Sequence, residues 1–190
     1  MKSLERSQPK QRWSIVMLQR QRGSQLVEFS LVLPFLLVFL VGLSEFGNGY
    51  RTYQNLTNAT REAARLSALP YYNQPSRSPD ALRDRITNYL SSVGLDITQY
   101  QGSGSMISGT TAWVYGSYPD SSYLLIDQNK IFPRLDNSGS PTGIVYSGSK
   151  IEIKHPYHFT FFGPVMGLLS LGSTFPSDIL IKSSTTIQNE

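Results

Sequence analysis

The sequence contains no cysteine. This absence excludes disulfide bonds, thiolate metal sites and a cysteine nucleophile within these 190 residues. The sequence also lacks G-x-S-x-G, a P-loop and H-E-x-x-H. The spacing of Gly102, Gly104 and Gly109 does not fit a dinucleotide-binding loop. We therefore predict that the protein is not an enzyme and needs no cofactor.

Histidine is scarce, and only one pattern offers ligands of the kind that bind metals. Glu152, His155 and His158 follow one another at intervals of three residues. On a strand this interval places neighbouring side chains on opposite faces, and Pro156 excludes the helix that would align them. We predict no metal site here and interpret the histidines as edge or turn residues.

Charged residues make up only 16% of the chain, and the cations are concentrated at its start. Residues 1–23 hold six cations against Glu5, a net charge of +5, so that residues 24–190 sum to −1 within the total of +4. A nucleic-acid partner is therefore not expected, because the basic character does not belong to the folded part. By the positive-inside rule, the basic N-terminus stays in the cytoplasm and the remainder faces outward.

A charge-free stretch of sixteen residues runs from Phe29 through Pro34 and Leu43 to Ser44. As a helix, Phe29–Ser44 would be about 24 Å long and Leu26–Phe46 about 31 Å, enough to cross a bilayer. Pro34 removes one backbone hydrogen bond and is expected to kink or loosen this helix. Glu28 would then lie close to one membrane face.

The apolar stretch is predicted to be the first half of a longer helical stem, 24–69. Apolar and small residues continue at a period near 3.6 as far as Ser67, although Gly47 and Gly49 weaken a helix, and Pro70 should end it. We expect the preceding residues, including the apolar run 13–18, to be a disordered part of a basic leader, 1–23.

The remainder, 70–190, is predicted to be an extracytoplasmic head of α+β class. Ser78 is expected to cap a helix with Pro79 in its first turn, and Gly94 to end it. Beyond the glycine-rich loop 101–109 the hydrophobic period changes to two, which indicates an antiparallel sheet. The tyrosine-rich segment 113–123 is interpreted as sheet core and cross-strand pairs, with a carbohydrate- or surface-contacting loop as the alternative. The last strand, 179–187, is expected to pair with 150–154, and the apolar segment 163–172 to form a short helix or loop. The predicted strands are 111–115, 123–127, 143–146, 150–154, 157–162 and 179–187.

The stretch around Gly23 resembles a known family of exported subunits. Gly23-Ser24 is followed by Val27-Glu28-Phe29 and then by Leu31-x-Leu33-Pro34, and the stem ends in T-R-E-A-A-R over 60–65. This combination is similar to the processing site and stem of type IV pilin-like proteins. It is most similar to TadE-like minor pseudopilins of the tight-adherence (Flp pilus) system. The last segments of the chain resemble the same family more weakly, and residues 71–150 match no motif of it.

The resemblance implies that a prepilin peptidase cuts between Gly23 and Ser24. Glu28 would then pair with the N-terminal ammonium of its own or a neighbouring subunit and set the register of assembly. The product of 167 residues is long for a bulk pilin, which indicates a minor subunit. Implied partners are the prepilin peptidase, other pilin or pseudopilin subunits, the inner-membrane pilus assembly platform and membrane lipid. The implied location is the bacterial inner membrane, as a single-pass protein, and then the pilus or cell surface.

Other hypotheses remain open at the level of sequence. Glu28 could extend to the lipid headgroups without any pairing role. The chain could be an uncleaved single-pass adaptor with an outer interaction domain, in which case Gly23 has no special role. It could also be an exported enzyme on a membrane anchor. A conventional signal peptide fits poorly, because no A-x-A site follows the apolar stretch.

Overall fold

The computed structural model describes residues 12–69, 71–72, 78–161 and 178–189, with side chains from residue 23 onward. Two compact units are present, residues 1–44 and 45–190. The predicted leader as far as residue 11, Pro70 and the apolar segment 163–172 lie outside the described residues. The domain limits predicted from the sequence stay a prediction.

The first helix, α1, runs from Arg12 to Ser67. We expected regular structure to begin only at Ser24, and this expectation was wrong for residues 12–22. The reason is local: Arg, Met, Leu and Gln favour a helix, and no proline or glycine interrupts the chain between Arg12 and Gly23. The helix also continues through Pro34, Gly47 and Gly49 without a change of secondary structure.

The second helix, α2, spans Asp80–Ser92. Ser78 does not cap it as predicted, since Pro79 occupies the N-cap position without a side-chain hydrogen bond and the Ser78 hydroxyl lies 3.2 Å from that of Tyr115. The predicted end of the helix is confirmed: Gly94 has a φ of +81°, and the N–H of Leu95 donates to the carbonyl of Leu90.

Five antiparallel strands form one sheet in the order β1-β2-β3-β4-β5. The chain before β1 also contains a short 3-10 turn, Thr98–Tyr100. The strands are β1 (Ser105–Met106), β2 (Ala112–Gly116), β3 (Tyr123–Leu135), β4 (Pro141–His158) and β5 (Asp178–Gln188). The α+β fold with a helical stem and an antiparallel sheet is therefore confirmed.

Strand β4 is one long strand where the sequence predicted three. It tolerates Pro156 because its pairing with β3 ends at Lys154, so that beyond this residue only the β5 side has a hydrogen-bonding partner. The predicted pairing of the last strand with 150–154 is confirmed, with Ile153 opposite Ser183. Pairing with a distant strand, which local periodicity does not encode, keeps the three segments in one strand.

The core of the second unit lies between one face of the sheet and two helical segments, the second half of α1 and α2. Tyr115 is fully buried in it and Tyr123 is buried in the sheet, so the interpretation of the tyrosine-rich segment as sheet core holds for its strand residues. Tyr118, between the two strands, is 45% exposed and packs edge-on against Tyr123 at 4.9 Å between ring centroids. The helices and sheet thus bury one continuous set of side chains. Its buried members are Leu56, Ala59, Ala63, Ala64, Leu82, Ile86, Leu90, Tyr100, Tyr115, Leu124, Ile126, Ile151 and Ile153.

Candidate functional site

The residues of the predicted cleavage site lie on the exposed surface of α1. Gly23, Ser24 and Glu28 are all exposed, and Ser24 and Glu28 are four residues apart. This interval places them on the same helix face, about 6 Å apart along the axis. A methyl group on Gly23 would meet no other atom within 4 Å, so packing within the described chain does not require glycine there.

Most side chains in the apolar half of the stem are exposed. Phe29 and Leu43 are 59% and 54% exposed, while Pro34 is partly covered. Among the described residues, α1 is the one helix that is long and apolar enough to cross a membrane. Exposure of so many large apolar side chains is unfavourable in water and favourable in a bilayer. The segment therefore has the properties of a membrane helix.

A buried carboxylate follows directly after the charge-free stretch. Glu45 is only 4% exposed, and its Oε2 accepts a hydrogen bond from the Tyr157 hydroxyl at 2.8 Å. The backbone N–H of Phe161 donates to Oε1 of the same carboxylate. We name these contacts the Glu45 clasp. They join α1 to the end of β4 inside the second unit.

The clasp also alters the acid–base behaviour of the tyrosine. Burial raises the pKa of Tyr157 to about 12, and the hydrogen bond to the Glu45 carboxylate and its negative charge act in the same direction. The ring lies beside Gly49, one turn after Glu45, where an added Cβ would be 3.8 Å from the nearest ring carbon. Glu45 and Gly49 together form the surface of α1 that receives the tyrosine.

Glu45 was not among the functional residues predicted from the sequence. Its position, the first charge after sixteen uncharged residues, was a usable signal. A carboxylate at the end of an apolar segment needs a partner, because an unpaired charge there is unfavourable. The sequence did not indicate which partner, since Tyr157 lies 112 residues away.

Hydroxyl groups provide a second contact between α1 and the sheet. Thr60 is fully buried, and its Oγ1 lies 3.2 Å from the Ser183 hydroxyl and accepts a hydrogen bond from Thr185 at 2.9 Å. Ser183 donates to Thr57 at 3.3 Å. The stem is thus held on β5 by directional polar contacts as well as by its apolar residues.

Two of the three residues in the candidate metal pattern, Glu152 and His155, make other contacts. Glu152 forms ion pairs with Lys150 and Lys182, each at 2.8 Å, and accepts a hydrogen bond from Tyr123. His155 Nδ1 lies 3.0 Å from the Tyr100 hydroxyl. Within the described ranges, no three histidine, aspartate or glutamate side chains are grouped so that they could hold a metal ion.

Glu152 is strongly acidic in this setting. Burial alone would raise its pKa, but hydrogen bonds from Lys150, Lys182 and Tyr123 outweigh that effect and lower the pKa to about 2. The pKa of His155 is lowered by burial. Glu152 and His155 are both buried residues of strand β4, and their contacts indicate a structural role.

Comparison with known proteins supports the resemblance found in the sequence. The model of the TadE-like protein family matches residues 23–65, from the predicted cleavage site to the end of the T-R-E-A-A-R segment. The similarity to TadE-like proteins is therefore confirmed over the stem. No curated protein matches the chain, and no solved structure matches it.

Proposed function

We propose that this protein is a minor pilin-like subunit of a tight-adherence (Flp-type) pilus. In this proposal the stem spans the inner membrane and later packs against other subunits, and residues 45–190 form an extracytoplasmic interaction unit. The family match over residues 23–65 is the observation that carries the proposal. The exposed apolar surface between Phe29 and Leu43 supports it, because such a surface needs lipid or a neighbouring helix to cover it.

Cleavage between Gly23 and Ser24 by a prepilin peptidase is the first step of this proposal. Because Gly23 lies inside α1, the helix must open locally before the peptide bond can enter a protease cleft. Glycine makes this opening easier, since it destabilises a helix interior by about 1 kcal/mol relative to alanine. The absence of a side chain also lets the backbone enter a narrow cleft.

Glu28 has a geometrically reasonable role after the cut. The new ammonium group at Ser24 would lie about one helical turn before the carboxylate, within reach of it or of the same group on a neighbouring subunit. Pairing would remove the unfavourable free energy of a carboxylate near the membrane. The proposed role is structural, a register contact for assembly, rather than catalytic.

The intact mass of the protein extracted from membranes tests this function. We expect a mass corresponding to Ser24–Glu190 when the prepilin peptidase is present and the full-length mass when it is absent. Gly23→Leu should prevent cleavage. Gly47→Leu is the matched control, since Gly47 is also exposed on α1 with no atom within 4 Å of an added Cβ. A start at Met1 with the peptidase present would favour the uncleaved membrane adaptor instead.

A further inference from the structure

Exposed aromatic residues from two separate elements lie next to the Glu45 clasp. Phe46 and Tyr50 stack along α1 with ring centroids 6.4 Å apart and are 74% and 54% exposed. Phe161, whose backbone N–H contacts the Glu45 carboxylate, has a side chain that is 52% exposed. We name Phe46, Tyr50 and Phe161 the aromatic collar. Local sequence does not bring Phe161 to this position, because it follows Glu45 by 116 residues.

The part of the collar on α1 lies in a stretch of that helix, residues 29–50, without exposed charge. Glu45 is the one ionisable carboxylate or cation between Phe29 and Tyr50, and it is turned inward onto Tyr157 and Phe161. The next charged residue, Arg51, is exposed. Farther along α1 the exposed surface is charged, with Glu62 paired to Arg65 at 2.7 Å. The change from apolar to charged surface therefore occurs just beyond the collar.

We propose that the aromatic collar lies in the outer headgroup region of the lipid bilayer. Tyrosine favours this region because its ring is apolar while its hydroxyl can stay hydrated. The two phenylalanine rings gain free energy by leaving water for the adjoining acyl chains. An inward-facing carboxylate avoids the unfavourable transfer of an exposed charge into the same region. Arg51 follows at the depth where a cation can meet lipid phosphates. The collar continues directly from the charge-free stretch of α1, which identifies lipid as its partner.

This inference rests on the proposed membrane insertion and adds a second membrane contact. Phe161 belongs to the segment that follows β4, so lipid would contact the head as well as the stem. The Glu45 clasp holds that segment beside α1.

Site-specific tryptophan fluorescence in lipid vesicles tests the collar. The background is the full chain carrying Trp13→Phe and Trp113→Phe. The second change should be mild, because the buried Trp113 Nε1 has no hydrogen-bond partner among the described residues. Phe46→Trp and Phe161→Trp report on the collar. Leu36→Trp reports on the centre of the charge-free stretch, and Tyr89→Trp, on the exposed side of α2, is the control away from it.

The vesicles contain phosphatidylcholine and phosphatidylglycerol with bromine either near the glycerol end or near the methyl end of the acyl chains. We expect both collar tryptophans to lose intensity mainly to bromine near the glycerol end. Leu36→Trp should be quenched mainly by bromine near the methyl end, and Tyr89→Trp by neither.

Two results would overturn the proposal that the collar contacts lipid, and they are distinguishable from each other. If Leu36→Trp is quenched but Phe161→Trp is not, the stem inserts without the head contacting lipid, and the collar hypothesis is wrong while membrane insertion stands. If Leu36→Trp is also unquenched, the proposed function fails together with the collar. Folding of each variant is checked by its circular dichroism against the background protein.

Discussion

Tyr157 donates a hydrogen bond to Glu45 across 2.8 Å and thereby joins the end of β4 to the stem helix, 112 residues earlier in the chain. The carboxylate at this joint is 4% exposed and is also bonded to the backbone of Phe161. A charged group so well covered is stabilising only while its partners remain. The joint is therefore sensitive to single-atom changes.

Removal of the Tyr157 hydroxyl tests the joint directly. Tyr157→Phe leaves Glu45 buried with one donor fewer, and we expect the free energy of unfolding to fall by roughly 1–3 kcal/mol. Denaturant unfolding of the full chain in detergent measures the change. Tyr50→Phe is the control, since the Tyr50 side chain is 54% exposed and its variant should unfold like wild type. Equal stability of the Tyr157 and Tyr50 variants would show that the contact contributes nothing.

Stability at alkaline pH should depend on the same hydroxyl. The pKa of Tyr157 is raised from 10.0 to about 12 in the folded protein. Its contribution to stability is therefore complete below pH 10 and is lost as the pH rises toward 12. Denaturant unfolding between these values should show a steeper loss for wild type than for Tyr157→Phe. The prediction fails if the two proteins lose stability in parallel over this range.

Stability at acidic pH should depend on Glu152. Its pKa is lowered from 4.5 to about 2 by Lys150, Lys182 and Tyr123 against the opposing effect of burial. This carboxylate stabilises the fold above pH 4.5, and its contribution is lost as the pH falls toward 2. Glu152→Gln should be less stable at neutral pH and should lose less stability on acidification. Glu62→Gln, which breaks an exposed pair, is the control and should change stability by under about 1 kcal/mol.

Two glycines should respond to alanine in opposite ways. At Gly49 an added Cβ would lie 3.8 Å from the Tyr157 ring, an ordinary contact, so Gly49→Ala should stabilise α1 by about 0.5–1 kcal/mol. Gly116 has a φ of +99°, and an added Cβ would lie 2.6 Å from the Ser122 carbonyl oxygen. Gly116→Ala should therefore destabilise the fold by about 1 kcal/mol or more. Thermal unfolding of both variants measures the contrast, and a stabilising Gly116→Ala would contradict it.

The proposed pairing of Glu28 predicts a loss of association without a loss of processing. If the pair contributes about 1.4 kcal/mol, Glu28→Gln should weaken association with other pilin subunits roughly tenfold. Co-purification from membranes measures association, and intact mass reports whether Gly23–Ser24 is still cleaved. Glu62→Gln again serves as the matched carboxylate control on the same helix. Unchanged co-purification of Glu28→Gln would favour the interpretation in which the side chain only reaches toward the headgroups.

Much of this molecule follows from local sequence. The charge-free stretch and the 3.6-residue period after it predicted one long helix, because side-chain spacing and backbone hydrogen bonding are local properties of a helix. The end of α2 at Gly94 was equally local, since the left-handed backbone there favours glycine. The alternation of 150–154 indicated a half-buried strand. The motif from Gly23 to Pro34 predicted the family resemblance that the match over 23–65 confirms.

The tertiary structure decided what local patterns could not. It joined three predicted strands into β4, because cross-strand bonds to β3 and β5 outweigh the weak local signals between the segments. It gave the Ser78 hydroxyl a contact with Tyr115 instead of a role as helix cap. It also selected Tyr157 and Phe161 as the partners of Glu45. A carboxylate in a sequence shows that a partner is needed, but only the folded chain brings a hydroxyl and an N–H from more than a hundred residues away to meet it.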